Sequence, residues 1–444
     1  MASSEGRGSS PIEVGSLYAG HEDLAATAPN AWALGMEGSD ILAIAAQVNA
    51  MKARGEAVAN FTVGDFDPKQ FSIPEALGVA IGEELAAGQT NYPPAIGIPE
   101  LRKAIASFYA DRLGLKFSPD HILVGSGARP PIYAAFQTLV APGDKIVYPV
   151  PTWNCRYYVY LAQAVGVPVT TRPENGFMPS AADLAPHLRD ARVLYLNSPL
   201  NPCGTVISEE LLRGVSQAVV DENRRREETG ERPLMLIYDM VYWQLTFDGA
   251  EHFTPIGLVP EIAPYTLIID AISKSWAATG LRVGWAAVPP WIHGPMQSLI
   301  GHVGAWAGRA EQRATARLLA EPAQVDPFMD GFRAGLKARL GRLHAGLQAM
   351  KAAGKPVDSV AAGGAMYLSA RFDLVGITTR SGRTIANAED VRRFLLDEAA
   401  VAVVPFTAFG YPSDTPWVRF SVGAASEADV DAALDRLRAA LDRI

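Results

Sequence analysis

The chain has 444 residues, 49% of them apolar, and 47 acidic against 39 basic side chains give a net charge of −8. That length exceeds one ordinary domain and fits about two, each able to bury a large core. The negative balance argues against nucleic acid as a main partner. Two cysteines, Cys155 and Cys203, make no disulfide framework, which suits a reducing cytoplasm, and the seven histidines are scattered, so no metal site is predicted. Met1–Ser10 is small and polar without the apolar core of a signal peptide, and no run is long enough to span a membrane. Residues 1–25 read as a flexible tail.

The elements follow in chain order. Asp40 to Arg54 has the apolar spacing of a helix and stops at Gly55. From Ala59 to Glu321 apolar runs alternate with helical patterns, which predicts βαβ units around a mostly parallel sheet. Within that stretch, Gly125-Ser-Gly-Ala-Arg129 precedes an apolar helix from Pro131 to Leu139. The strand Arg192–Leu196 runs into Asn197-Ser-Pro-Leu-Asn201-Pro-Cys-Gly-Thr205, where two prolines and a glycine dictate a rigid turned loop. Leu211 to Arg232 is largely a helix, and its charged end interleaves both signs as a solvated face does. Leu234–Asp239 reads as a strand ending in a carboxylate, with the phenol of Tyr242 just beyond. Tyr265–Asp270 reads as another, leading into Ala271-Ile-Ser273-Lys274 and on to Arg282. After Pro322 a long helix reaches Leu347. Short strands at Ala365–Ser369, Val401–Val404 and Val418–Ser421 and an amphipathic helix from Ser426 to Leu441 complete a smaller α+β unit. The division is residues 59–321 as the large α/β domain, and 26–58 with 322–444 as the small one.

Three of these strands end in chemistry. The carboxyl ends of strands in open α/β sheets are where ligands bind. Lys274, just past such an end, is poorly placed for a solvated surface and well placed as an amine nucleophile that forms a Schiff base with a carbonyl. Arg282 offers a planar fork for a phosphate. A Schiff-base lysine beside a phosphate clamp points to pyridoxal 5'-phosphate (PLP). Asp239, an acid at the end of a buried strand, needs a cationic partner such as a pyridinium nitrogen, or else caps the turn that follows. Asn201 can both give and take hydrogen bonds. The phosphate would be held by Ser126 or by the backbone N–H groups of Gly127, Ala128 and Arg129 at the start of the following helix. Trp153 offers a flat face for the ring.

In register and order, these segments resemble the class I/II, aspartate aminotransferase-like branch of the fold-type I PLP enzymes. The likeness runs from Ala59 to the C-terminus. It also takes in Asn60-Phe-Thr-Val-Gly64-Asp-Phe-Asp-Pro68, Gln89-Thr-Asn-Tyr92-Pro-Pro, Pro149-Val-Pro-Thr-Trp153, Val401-Ala-Val-Val-Pro405 and Trp417-Val-Arg419-Phe-Ser-Val-Gly423. The resemblance implies a large PLP-binding domain and a smaller domain that closes over substrate. It implies Lys274 as the Schiff-base lysine, Asp239 on the ring nitrogen, and Tyr242 with Asn201 on the ring's phenolic oxygen. Arg419 would bind the substrate α-carboxylate, with Gly64 approaching it through its backbone. Tyr92 would reach the phosphate of a neighbouring subunit, hence a cytoplasmic homodimer acting on an L-amino acid and a 2-oxo acid by ping-pong transamination. One position departs from the family pattern: Ala271 stands where relatives often carry a phosphate-binding hydroxyl, so Ser273 or Arg282 would take more of that load.

The side-chain preference stays open. Arg156, Arg309 and Arg129 are candidate cations for a distal carboxylate, and Trp306 reads either as favouring aromatic or apolar side chains or as dimer-interface packing. The same cofactor residues also support lyase, decarboxylase, oxidase or synthase chemistry, since fold alone does not fix a reaction.

Overall fold

The structure, a computed structural model, describes residues 11–247, 249–379 and 382–444. The first ten residues of the expected tail lie outside the described residues. The chain divides into two compact units, one ending at Ser39 and one spanning Asp40–Ile444. In the first, a 3-10 turn at Val14–Tyr18 and short helices at Leu24–Thr27 and Ala31–Leu34 follow one another, the last capped by the Asn30 side chain, which accepts from the Ala33 N–H at 2.8 Å.

The second unit is built on two main sheets. Seven strands form the larger: β1 (Ile122–Ser126), β2 (Lys145–Val150), β3 (Val165–Thr170), β4 (Ala191–Asn197), β5 (Met235–Asp239), β6 (Thr266–Ala271) and β7 (Val283–Ala287), in the spatial order β1-β7-β6-β5-β4-β2-β3. Every pair is parallel except those that β7 makes with β1 and β6. All residues of β4, β5 and β6 are buried. Their unalternating apolar runs are what strands covered on both faces require.

Register places the site. Asn197 pairs with Asp239, and Asp239 with Ile269, so the carboxyl ends of β4, β5 and β6 lie side by side. The antiparallel β7 pairs Gly284 with both Ala271 and Gly125, and Val283 with Ser126. Arg282, just before that strand, therefore arrives beside the ends of β1 and β6.

The smaller sheet contains β8 (Val357–Val360), β9 (Tyr367–Phe372), β10 (Val404–Pro405) and β11 (Trp417–Ser421), ordered β10-β11-β9-β8 and antiparallel throughout. Helices Pro322–Ala352, Ala388–Ala399 and Glu427–Leu441 accompany it, the last begun by a capping box at Ser426 and Asp429. The apolar run expected as one strand at 401–404 divides: Val401–Ala402 pairs in parallel with Ala59–Asn60, while Val404–Pro405 joins β11. The strand expected at 365–369 starts two residues later, because Ala365 sits at φ +58°, outside extended geometry. The helix expected to end at Arg232 stops at Thr229, where Gly230 takes φ +70°. Arg226, in that helix's charged end, is buried and donates to the carbonyls of Leu188 and Ala191 instead of facing solvent. No helix among the described residues is long and apolar enough to cross a membrane.

Candidate active site

Lys274 lies in a single helical turn, Ile272–Ser275, immediately after β6. Its Nζ donates to the Gly64 carbonyl at 2.6 Å. Burial pulls the amine from 10.5 down to about 8; Asp65 opposes this, while Arg419, Arg129 and Arg282 add to it. An amine so placed gives up its proton far more readily than a solvated lysine, and the neutral form is the one that attacks carbonyls and takes protons.

Two buried carboxylates sit at neighbouring strand ends. Asp239 accepts from Tyr195 Oη at 2.7 Å and from the Val241 N–H at 3.2 Å. Its backbone oxygen takes Asn197 Nδ2 at 2.9 Å, tying β5 to β4. Desolvation lifts its carboxyl to about 6 against those two donors, and no cation pairs with it among the described residues. Asp270 accepts from Trp243 Nε1 at 2.8 Å, Tyr109 Oη at 3.1 Å and the Ala271 N–H at 2.7 Å, and Trp285 Nε1 in turn donates to Tyr109 at 2.8 Å. Neither carboxylate has a counter-charge among the described residues; Asp270 is held by three donors in the core and Asp239 by two, and an uncompensated buried acid is costly without a ligand.

Across the ends of β4 and β5 runs a buried polar chain. Arg419, on β11 and 1% exposed, donates from Nη1 to Asn201 Oδ1 at 3.0 Å and from Nη2 to the Thr62 carbonyl at 2.5 Å. Asn201 Nδ2 donates to Tyr367 Oη at 3.3 Å, which lies 2.7 Å from Tyr242 Oη. The Arg419 guanidinium rests on the rings of Tyr367 and Phe409 at 4.7 and 4.9 Å. Its Nε is buried and without a partner.

The anion cup follows β1. Gly127 takes φ +81° and spends its N–H on the Gly125 carbonyl at 2.8 Å, and the helix Arg129–Leu139 begins directly after Ala128, so the N–H groups of Ala128 and Arg129 stand at the helix start, where an anion can bind. Arg282 spans the cup, donating from Nη2 to the Ser126 carbonyl at 3.1 Å and from Nη1 to the Thr279 carbonyl at 2.6 Å. It does so at φ +57°, an uncommon conformation for a side-chain-bearing residue. A Cβ on Gly127 would collide with that guanidinium, and one on Gly284 with the backbone of Gly127 and Ala128. Gly127→Ala is therefore expected to cost about 1–3 kcal/mol, read as a lowered thermal midpoint, and to weaken anion binding at the cup in a phosphate titration. Ser273 is buried beside Lys274 on the same turn.

The structure thus gathers Lys274, Gly64, Asn201, Tyr242 and Arg419 into one linked group, with Asp239, Ser273, Gly127, Ala128 and Arg282 on adjoining strand ends. Gly64 adjoins both Tyr367 and Arg419, since a Cβ there would lie 3.1 Å from Tyr367 Oη and 3.8 Å from Arg419 Nη1. Trp153 carries the Arg129 guanidinium over its ring at 4.6 Å. Tyr92 stays apart: it is 80% exposed and packs edge-on against Trp306 at 5.2 Å. Of the three candidate cations, Arg156 is tied to Asp40 at 2.7 Å and Arg309 to Gln89 at 2.8 Å, while Arg129 enters no ion pair among the described residues. Sequence reading missed Tyr367 and Tyr195. The only cue for Tyr367 is an aromatic following Gly363-Gly-Ala-Met, small residues that let a backbone approach closely.

A family model described as aminotransferase class I and II matches residues 56–437. The chain belongs to the class I and II aminotransferases. It is 30% identical to an aspartate aminotransferase of Rhizobium meliloti (strain 1021) over 409 residues, 91% of this chain and 94% of that protein. It is equally 30% identical to an aspartate/prephenate aminotransferase of Thermus thermophilus over 413 residues, covering 92% and 97% of the two. The solved aspartate aminotransferase of Thermus thermophilus with maleate superposes with a TM-score of 0.81 at 28% identity, across 93% of this chain and 99% of that one. Enzymes of this family depend on PLP, and this aminotransferase has their mostly parallel central sheet between helices.

Proposed function

We propose that this aminotransferase binds PLP at Lys274 and moves the amino group of an L-amino acid to a 2-oxo acid in a ping-pong cycle. The observation that carries the reading is a weakly basic amine facing a cup for an anion, with a buried carboxylate nearby that lacks any counter-ion. Those three features fit the aldehyde, phosphate and pyridine nitrogen of the cofactor in turn. The cup of Gly127, Ala128 and Arg129 with Arg282 and Ser273 would hold the phosphate, Asp239 the ring nitrogen, Trp153 the ring face, and Asn201 with Tyr242 the phenolic oxygen. When bound, the group draws electrons from the substrate α-carbon and makes its proton removable. Arg419 has an unpartnered buried Nε and binds the substrate α-carboxylate. Lys274, its amine held near the Gly64 carbonyl, takes the α-proton and returns it to the other side of the transferred nitrogen.

The donor we propose is a dicarboxylic amino acid. Arg129 supports this: its side chain is not committed to an ion pair, and its charge is felt at Lys274. Arg129→Met is expected to raise KM for aspartate at least about tenfold, the loss of one charge-assisted contact, and to leave KM for an apolar donor nearly unchanged, measured by steady-state kinetics with both donors. The reading further assigns residues 59–321 to cofactor binding and residues 26–58 with 322–444 to closing over substrate. It makes the enzyme a cytoplasmic homodimer, which suits two free buried cysteines and a Tyr92 exposed on its own chain.

Visible absorbance of the purified protein tests the whole reading. A yellow band that single amino acids bleach without any keto acid, and that a 2-oxo acid restores, is the expected result. A band that persists while ammonia or carbon dioxide is released would overturn transamination.

A further inference from the structure

Tyr367 stands on β9 of the smaller sheet and is completely buried, yet its hydroxyl meets side chains from the larger sheet's loops. The directions of two of these hydrogen bonds follow from chemistry alone. Arg419 can only donate, so the Asn201 side-chain oxygen must face it at 3.0 Å. Asn201 Nδ2 is then the end that faces Tyr367, and an amide nitrogen can only donate. The Tyr367 oxygen therefore accepts from Asn201, and its own proton is available for Tyr242 Oη at 2.7 Å. Either hydroxyl can be the donor in that pair; with Tyr367 donating, the proton of Tyr242 and the second Nδ2 hydrogen of Asn201 point elsewhere.

We propose that Tyr367 is a positioning residue that aligns Asn201 and Tyr242 as twin donors toward the cofactor's phenolic oxygen and links both to the substrate-carboxylate arginine, Arg419. A hydroxyl that receives a hydrogen bond donates its own more strongly, so the Tyr367 proton strengthens the donation of Tyr242. The Arg419 guanidinium over the Tyr367 ring at 4.7 Å joins the same chain from the other end. The charged groups that face Tyr367 are Arg419 and, through space, Asp65. A Cβ on Gly64 would lie 3.1 Å from the Tyr367 hydroxyl, so the glycine leaves that hydroxyl its place beside the backbone.

This inference rests on the PLP reading above, and its test separates the two. The loaded wild-type enzyme and Tyr367→Phe are titrated against pH by visible absorbance. Strong donors on the ring oxygen withdraw charge and make the adjoining nitrogen less basic. Losing one link of the chain is expected to raise the apparent pKa of the visible band by about half a unit or more. Replacing Tyr367 by a fluorinated tyrosine, which keeps the shape and sharpens the donor, is expected to lower it. An apparent pKa unmoved in both variants would overturn the proposal while leaving the cofactor reading intact. A wild-type protein that shows no pH-dependent band would sink the cofactor reading itself. If Tyr367→Phe does not retain cofactor, the fluorinated variant alone decides, through the presence or absence of the downward shift.

Discussion

Lys274→Ala is expected to abolish turnover, with transamination falling by at least about ten-thousandfold, since in the proposed mechanism one side chain both holds the cofactor and moves the proton. The same variant has a second readout that needs no cofactor. In the folded chain the amine sits at about 8 rather than 10.5, because burial disfavours its charged form. Between those two values the unfolded chain binds the extra proton and the folded chain does not. The Lys274 contribution to the stability of the ligand-free wild type therefore rises with pH through that window, by roughly 3 kcal/mol at most. Lys274→Ala removes that contribution and raises the thermal midpoint below the window, because no ammonium has to be buried. Melting curves of the ligand-free protein across that range check both points. Wild-type and variant curves that run parallel across that range would mean that Lys274 is solvated, since the buried thiols and phenols titrate in both proteins.

The reach of the sequence follows from how local each signal is. Buried parallel strands read as unbroken apolar runs that end abruptly in polar residues, so β4, β5 and β6 and the residues at their ends were legible: Asn201 in its rigid loop, Asp239, Lys274. Arg282 was legible because it stands only eight residues from Lys274 in a glycine-rich turn. Tyr367 was not. Its role depends on a smaller sheet meeting the loop at Asn201, 166 residues away, and no periodicity encodes that approach. Nor did pattern separate Asp239 from Asp270. Both end apolar runs; what distinguishes them is that Trp243 and Tyr109 were folded against one and not the other. The divided run at 401–404 shows the same limit, since an apolar strand carries no mark of which neighbour each half will pair with. Among Arg129, Arg156 and Arg309, only partners far along the chain, such as Asp40 and Gln89, show which cations are already engaged.

Asp239→Asn is expected to move activity and ligand-free stability in opposite directions. Asp239 is lifted from 3.8 to about 6 by desolvation, with Tyr195 and Val241 only partly opposing it. A carboxyl raised in this way costs the folded state stability as pH climbs from the first value through the second, because the unfolded chain ionises first. The loss for the ligand-free protein is roughly 3 kcal/mol once both forms are ionised. Asparagine fills the same space, still offers Tyr195 an acceptor, and carries no charge to bury. The ligand-free variant should therefore melt higher than wild type at neutral and alkaline pH and match it in acid. Asp270, raised to about 7, keeps a slope of its own in both proteins. With a positively charged ring nitrogen opposite, the sign reverses. The wild-type carboxylate then gains a partner in a dry site, and loading should stabilise wild type more than the variant. Because the charge is what keeps that nitrogen protonated while the α-carbon loses its proton, kcat should fall by about a thousandfold, the scale set by removing one preorganised electrostatic group. Thermal midpoints with and without cofactor, on both sides of pH 6, and kcat for the two proteins are the measurements. A ligand-free variant that melts lower than wild type in alkali would show that Asp239 anchors the ends of β4 and β5 as a hydrogen-bond acceptor first and serves the ring nitrogen second.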